Sequence, residues 1–114
     1  MDGRIQDIFG PGSNVIGRVI RDYEKIAEIT ESLRKLGSRI GLTSGTFDLF
    51  HVGHSRYLEE AKRRVDVLVV GVDSDQKTRK RKGPDRPVVS EDERMEILCH
   101  TRHVDLVFLK QESD

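Results

Sequence analysis

The sequence predicts an α/β fold, a Rossmann-like parallel sheet with flanking helices. Three observations carry that expectation. Two runs, Asp66–Val72 (DVLVVGV) and Val104–Leu109 (VDLVFL), are nearly continuous apolar sequence rich in β-branched residues, the pattern of strands buried on both faces and hence parallel. Helix-like and strand-like segments alternate along the chain, the order that right-handed crossovers wind into a parallel sheet. A turn bounded by Gly45 and Gly53 joins the first strand to a helix, and in such sheets ligands lie beyond the carboxyl ends of the strands.

The elements follow in order. Residues 1–21 read as an N-terminal extension broken by glycines, with a short apolar patch at Val15, Ile16, Val19 and Ile20. From Asp22 to Leu36 the spacing is helical: Ile26, Ile29, Leu33 and Leu36 share one face, Asp22 is an N-cap and Gly37 a stop. Arg39–Ser44 is a strand that ends in the turn Ser44-Gly45-Thr46, and a helix from about Gly53 to Arg64 buries Leu58 and Ala61. After the strand Asp66–Val72, residues Asp73 to Pro87 read as a polar, basic loop. Ser90 with Glu93 three residues on suggests a capping box for a helix reaching about Thr101, and Val104–Leu109 is the last strand. The order is thus α-β-α-β-loop-α-β, over 22–114. Three strands are few against a mean of about 5–6 per sheet, and a buried-type strand at an edge invites pairing. The expectation is therefore that the N-terminal patch or a partner covers the edge, or that the α/β domain is C-terminally incomplete.

Composition excludes several classes. Among 114 residues, 20 Lys+Arg balance 20 Asp+Glu, which argues against a globally nucleic-acid-binding or membrane-surface protein. One cysteine, Cys99, rules out an internal disulfide framework. No apolar stretch approaches the ~20 residues of a membrane span, and residues 1–20 lack the order of a signal peptide. A soluble cytoplasmic protein is the expectation.

The chemistry concentrates in Gly45-Thr46-Phe47-Asp48-Leu49-Phe50-His51-Val52-Gly53-His54. His51 and His54 are three apart, so at a helix start both rings reach one side. The helix N-terminus beside them offers unpaired N–H groups and partial positive charge. Gly53 lets a ligand approach the backbone. Together these make a donor-rich pocket for a phosphate group; the competing readings are a capping or core role for the two histidines, or a metal site, for which no further ligand is suitably spaced. The run from Lys77 to Arg86 holds six basic residues and one acidic. By itself it reads as a solvated basic loop or a nucleic-acid patch. Placed after the second strand, it opens onto the same edge as the histidines and suits a flexible loop closing over a triphosphate. Cys99, His100 and His103 look like a ligand cluster, but His103 more naturally caps helix carbonyls while Cys99 fills core. Asp73 and Asp75 end the second strand and suit either a ribose or magnesium-bound water, or loop capping.

The stretch Gly45–His54 resembles the G-T-F-D…H-x-G-H signature of the cytidylyltransferase-like nucleotidyltransferase superfamily, and the resemblance spans about Tyr23 to Leu109. Lys82-Gly83-Pro84 through Arg86-Pro87, with Glu91–Arg94 and Val104-Asp105, looks most like the adenylyltransferase domain of the bifunctional ADP-heptose synthases. Archaeal FAD synthetases and glycerol-3-phosphate cytidylyltransferases are also similar. The resemblance implies transfer of a nucleoside monophosphate, AMP or CMP, from a magnesium-bound nucleoside triphosphate to a phosphorylated small molecule such as a sugar phosphate. It implies that His51, His54 and Lys82 act on the reacting phosphates and that Thr46 and Phe47 hold the α-phosphate through their backbone. Gly53 would make room for the nucleotide, Lys80 and Asp75 would contact it, and Asp48 would orient the histidine loop. Arg94 falls where that family has a recurrent arginine. The family's later I-S-[ST]-[ST] block does not occur before Asp114. The alternative to an enzyme is a non-catalytic nucleotide-binding or regulatory module, and third a basic-loop nucleic-acid binder. A homodimer is an arrangement the resemblance allows.

Overall fold

The computed structural model describes residues 16–111. After a 3₁₀ turn at Ile16–Arg18 the elements are α1 (Tyr23–Lys35), β1 (Ile40–Gly45), α2 (Val52–Lys62), β2 (Val67–Asp73), α3 (Asp75–Lys82), α4 (Glu91–Cys99) and β3 (Leu106–Lys110). The three strands form one parallel sheet in the order β1-β2-β3. The fold is the Rossmann-like α/β arrangement expected.

β2 is buried along its whole length, as its unbroken apolar run requires. Its alternate side chains enter two cores. Leu68, Val70 and Val72 pack with Leu58 of α2 and Met95 and Leu98 of α4, while Val67 and Val69 pack with Ile29 of α1. Helices thus cover both faces, and the carboxyl ends of β1 and β2 stand side by side, Gly45 registered with Val72. At the opposite end Asp105 accepts the Leu68 N–H (2.8 Å) and pairs with Lys62 (2.6 Å), stapling β2, β3 and α2 together.

Local chemistry sets the helix ends. Asp22 caps α1 by accepting the Glu24 N–H. Gly37, at φ 95°, closes it: the Gly37 and Ser38 N–H groups reach back to the Arg34 and Leu33 carbonyls, a Schellman closure that needs the left-handed region glycine tolerates. Leu36, expected on the buried face, lies beyond the last helical residue and is 83% exposed. Ser90 accepts the Glu93 N–H at the start of α4.

The basic loop expected from Asp73 to Pro87 is largely helix. Ser74 caps α3 by accepting the Lys77 N–H, Asp75 sits in the first turn and four basic residues fill the last, both favourable to the helix dipole. No glycine or proline intervenes until Gly83-Pro84. With almost every residue polar, no apolar period revealed the helix.

The segment before Asp22 meets the sheet edge, one of the alternatives expected for it. From Val19 onward it joins the domain: Val19 bridges Val107, the Ile20 N–H donates to the Val107 carbonyl (2.9 Å), and Ile20 is buried. The outer edge of β3 is thereby partly covered. Val15 and the residues before it lie outside the described residues.

Candidate active site

Beyond Gly45 the chain turns over the end of β2 before α2 begins. Phe47 (φ 56°) and Leu49 (φ 50°) both occupy the left-handed region, which for residues with a Cβ costs on the order of 1 kcal/mol each. Burial of the Phe47 side chain in the core offsets that strain. A Cβ on Gly45 would stand 3.1 Å from the edge of that ring, closer than an ordinary contact, so the glycine lets the ring pack tightly over it.

The two histidines close the helix tip. His51 is the N-cap, and its Nδ1 accepts the Gly53 N–H at 3.0 Å. The His51 N–H in turn donates to Nδ1 of His54, also at 3.0 Å. A backbone N–H can only donate, so both Nδ1 atoms are acceptors and each neutral ring carries its proton on Nε2. The rings lie 4.0 Å apart, centre to centre, and Phe50 stacks on His54 at 5.2 Å. Burial, then the positive charge of His51 and of Lys82, holds the His54 imidazole below its ordinary pKa. The capping role weighed against a functional one is real, and the two are compatible: Nδ1 serves the helix and Nε2–H remains to serve a ligand.

Gly53 also has a use inside the protein. A Cβ there would lie 2.7 Å from Cε1 of His51, so the glycine makes room for the imidazole itself.

Around this tip lies a network that sequence reasoning did not find. Arg94 of α4, fully buried, donates to the carbonyls of Thr46 (2.7 Å), Asp73 (2.8 Å) and Val89 (2.9 Å) and to the Asp75 carboxylate (2.7 Å). One guanidinium thus joins the histidine loop, the end of β2, the start of α3 and the approach to α4. Asp75 is held by that contact, while its N–H donates to Glu91. Asp48 accepts the Val88 and Val89 N–H groups (2.8 and 2.9 Å), with Arg86 at 3.9 Å. Burial works to raise the Asp48 pKa, but those two N–H groups with Arg86 and Arg94 outweigh it and hold the carboxyl below the usual range. Asp75, expected on the nucleotide, and Asp48, expected to orient the histidine loop, therefore both have carboxylate contacts inside the protein, and those of Asp48 clasp the loop to residues 88–89. The network's signs in the sequence were the recurrent position of Arg94 and the orienting role the resemblance gives Asp48.

Thr46 is buried, and its hydroxyl donates to Asp73 (3.2 Å) and accepts from Arg81 (3.1 Å). Lys80 and Lys82 are exposed on α3, and the effect of Lys82 on His54 puts the end of that helix within electrostatic reach of the histidines.

Cys99, His100 and His103 form no ligand cluster, and Cys99 fills core as expected. Cys99 is buried, and that burial pushes its thiol up to about 11. His100 faces Glu96 (3.5 Å), and His103 faces Glu59 (4.0 Å) instead of capping helix carbonyls. Among the described residues no group of three or more His, Cys, Asp or Glu is placed to hold a metal ion. A polar cleft of about 420 Å³ opens between Arg56 and Glu59 of α2 and the turn holding His100 and Arg102, with neither His51 nor His54 in its lining. No helix among the described residues is long and apolar enough to cross a membrane.

A three-stranded parallel α/β sheet whose first strand leads into a helix capped by two histidines defines a nucleotidyltransferase-type domain. The chain belongs to the cytidylyltransferase-like family, whose model matches residues 42–114. It is similar to the bifunctional protein HldE of a Nitratiruptor species, 43% identical over 93 residues, covering 82% of this chain and 20% of that one. The bifunctional protein HldE of Acidiphilium cryptum is 41% identical over 106 residues, covering 93% and 22%. The chain spans about a fifth of the length of these curated relatives. Among solved structures, the lipopolysaccharide core biosynthesis protein of Thermoplasma volcanium is 34% identical with a TM-score of 0.62, covering 68% of this chain and 62% of that one.

Proposed function

We propose that the chain carries the catalytic core of a nucleotidyltransferase that moves a nucleoside monophosphate, AMP in the first instance, onto the phosphate of a small molecule such as a sugar phosphate. The observation that carries this reading is the paired imidazoles, each with Nδ1 committed to the helix cap and Nε2–H left as a donor. An oxygen of the acceptor phosphate attacks the α-phosphorus of ATP or CTP, one P–O bond forms, the bond to the β-phosphate breaks and pyrophosphate leaves. Such a step needs positioning and neutralisation of charge on the transferring group rather than a protein nucleophile. His51 and His54 would donate to the phosphates as charge develops, the backbone of Thr46 and Phe47 would hold the α-phosphate, and Lys82, with Lys80, would meet the outer phosphates.

Magnesium suits this site as an ion brought by the triphosphate. Asp73 and Asp75 are each already engaged, by Arg81 and Arg94, so the protein offers outer-sphere contacts more readily than a cage. When bound, the ion would neutralise phosphate charge. Nucleic acid and membrane have no part in this reading.

The test is direct. The complete protein is offered ATP or CTP with a panel of sugar and alcohol phosphates, and product mass and pyrophosphate are measured. His54→Ala is expected to lower transfer by about 100-fold or more, the scale of losing an electrostatic donor to the transition state, while the protein stays folded. Near-normal pyrophosphate release from that variant refutes the assignment.

A further inference from the structure

Arg81 of α3 reaches the ends of both β1 and β2. Its Nη2 lies 3.0 Å from the Asp73 carboxylate and 3.1 Å from the Thr46 hydroxyl. The pair is asymmetric: the Asp73 side chain is 3% exposed, that of Arg81 55%. A carboxylate so buried needs a counter-charge, and here the counter-charge stands at the surface. A guanidinium has five N–H donors in a planar fork, and one nitrogen makes both contacts.

Thr46 is also the first residue of the loop assigned above to the α-phosphate, so a polyphosphate seated there would meet Arg81 beside Asp73. We propose that Arg81 is an anion-binding residue of this site, held in reserve by Asp73: it is the counter-ion of that carboxylate in the free protein and turns its charge to the polyphosphate when one binds. The inference rests on the reading of the histidine loop as a phosphate site. It has a consequence of unusual sign. Loss of Arg81 weakens anion binding, whereas loss of the Asp73 charge frees Arg81 and strengthens it. A pair that only neutralised a buried acid would also lose affinity with Arg81, through the bared Asp73 charge, but the gain from Asp73→Asn would then be at least as large without Arg81 as with it.

The experiment is calorimetric titration of the full chain with inorganic triphosphate, without divalent metal, for wild type, His54→Ala, Arg81→Met, Arg81→Lys, Asp73→Asn and the Arg81→Met/Asp73→Asn double variant. Thermal unfolding is recorded for each. Losing one charge-assisted contact predicts binding roughly tenfold weaker in Arg81→Met, with Arg81→Lys between it and wild type. Asp73→Asn is expected to bind more tightly, and that gain should shrink in the Arg81→Met background, where no guanidinium is left to release. Arg81→Met binding as wild type does, or an Asp73→Asn gain of full size without Arg81, overturns the proposal. Should Asp73→Asn not fold, wild-type affinity in Arg81→Met still overturns the proposal. Wild type that binds no triphosphate overturns the phosphate-site reading and this inference together. Binding lost in His54→Ala but unchanged in Arg81→Met overturns this inference alone.

Discussion

Replacing Arg94 by methionine keeps the length of a buried side chain and removes its charge. The carbonyls of Thr46, Asp73 and Val89 and the carboxylate of Asp75 then lose a donor together. Removing one partner of a buried ion pair costs about 3–5 kcal/mol. Asp75 is 27% exposed, so water relieves part of its loss and the lower end applies, about 3 kcal/mol. Against a total stability of roughly 6–17 kcal/mol for 114 residues, that is a large fraction. With a urea slope of roughly 1–3 kcal/mol/M, the midpoint falls by on the order of 1–3 M. Arg94→Lys keeps the charge but not the fork, and should lose about half as much. The assay is urea unfolding followed by circular dichroism. A midpoint for Arg94→Met within about 0.3 M of wild type, at unchanged slope, refutes the keystone role.

Three further outcomes are expected. Gly53→Ala puts a methyl 2.7 Å from Cε1 of His51, so the ring must move; triphosphate titration should show several-fold weaker binding, on the order of one hydrogen bond, at nearly unchanged melting temperature. Because His54 titrates below its ordinary value, its neutral form belongs to the folded state. Its contribution is whole above the unfolded value of 6.5 and is lost as pH falls through the folded one, so unfolding at pH 7.5 and pH 5 should differ more in wild type than in His54→Gln. Cys99, buried and pushed up to about 11, should resist a thiol reagent at pH 8 until urea exposes it, and rapid labelling of the native chain would contradict its burial.

What the sequence disclosed and what it hid follow one physical division. β2 and β3 were legible because a strand buried on both faces must be apolar throughout, which leaves a local mark. The histidine pair was legible for a similar reason: a helix tip that presents two rings must place them three apart, next to glycines. α3 was invisible to the same reading, because a helix held by a serine cap and by charges matched to its dipole needs no apolar stripe. Nor did any spacing announce that Arg94, Asp75 and Thr46 meet, since they lie 19 and 48 residues apart and converge only when the strands align.

That division also explains why the site can be precise. The two histidines are local to one helix tip, and each alone could adopt many positions. The histidine loop has two residues in a strained conformation, and left to itself it would relax. Arg94 from α4 and Asp48 to residues 88–89 fix it from behind, with contacts formed by segments distant in sequence. Those contacts also fix α3, since Asp75 at its start shares the guanidinium that holds Thr46. The cations of α3 and the donors of α2 are therefore set in place by one buried group. A change at Arg94 should accordingly disturb both at once, although Arg94 itself faces neither the histidine rings nor solvent.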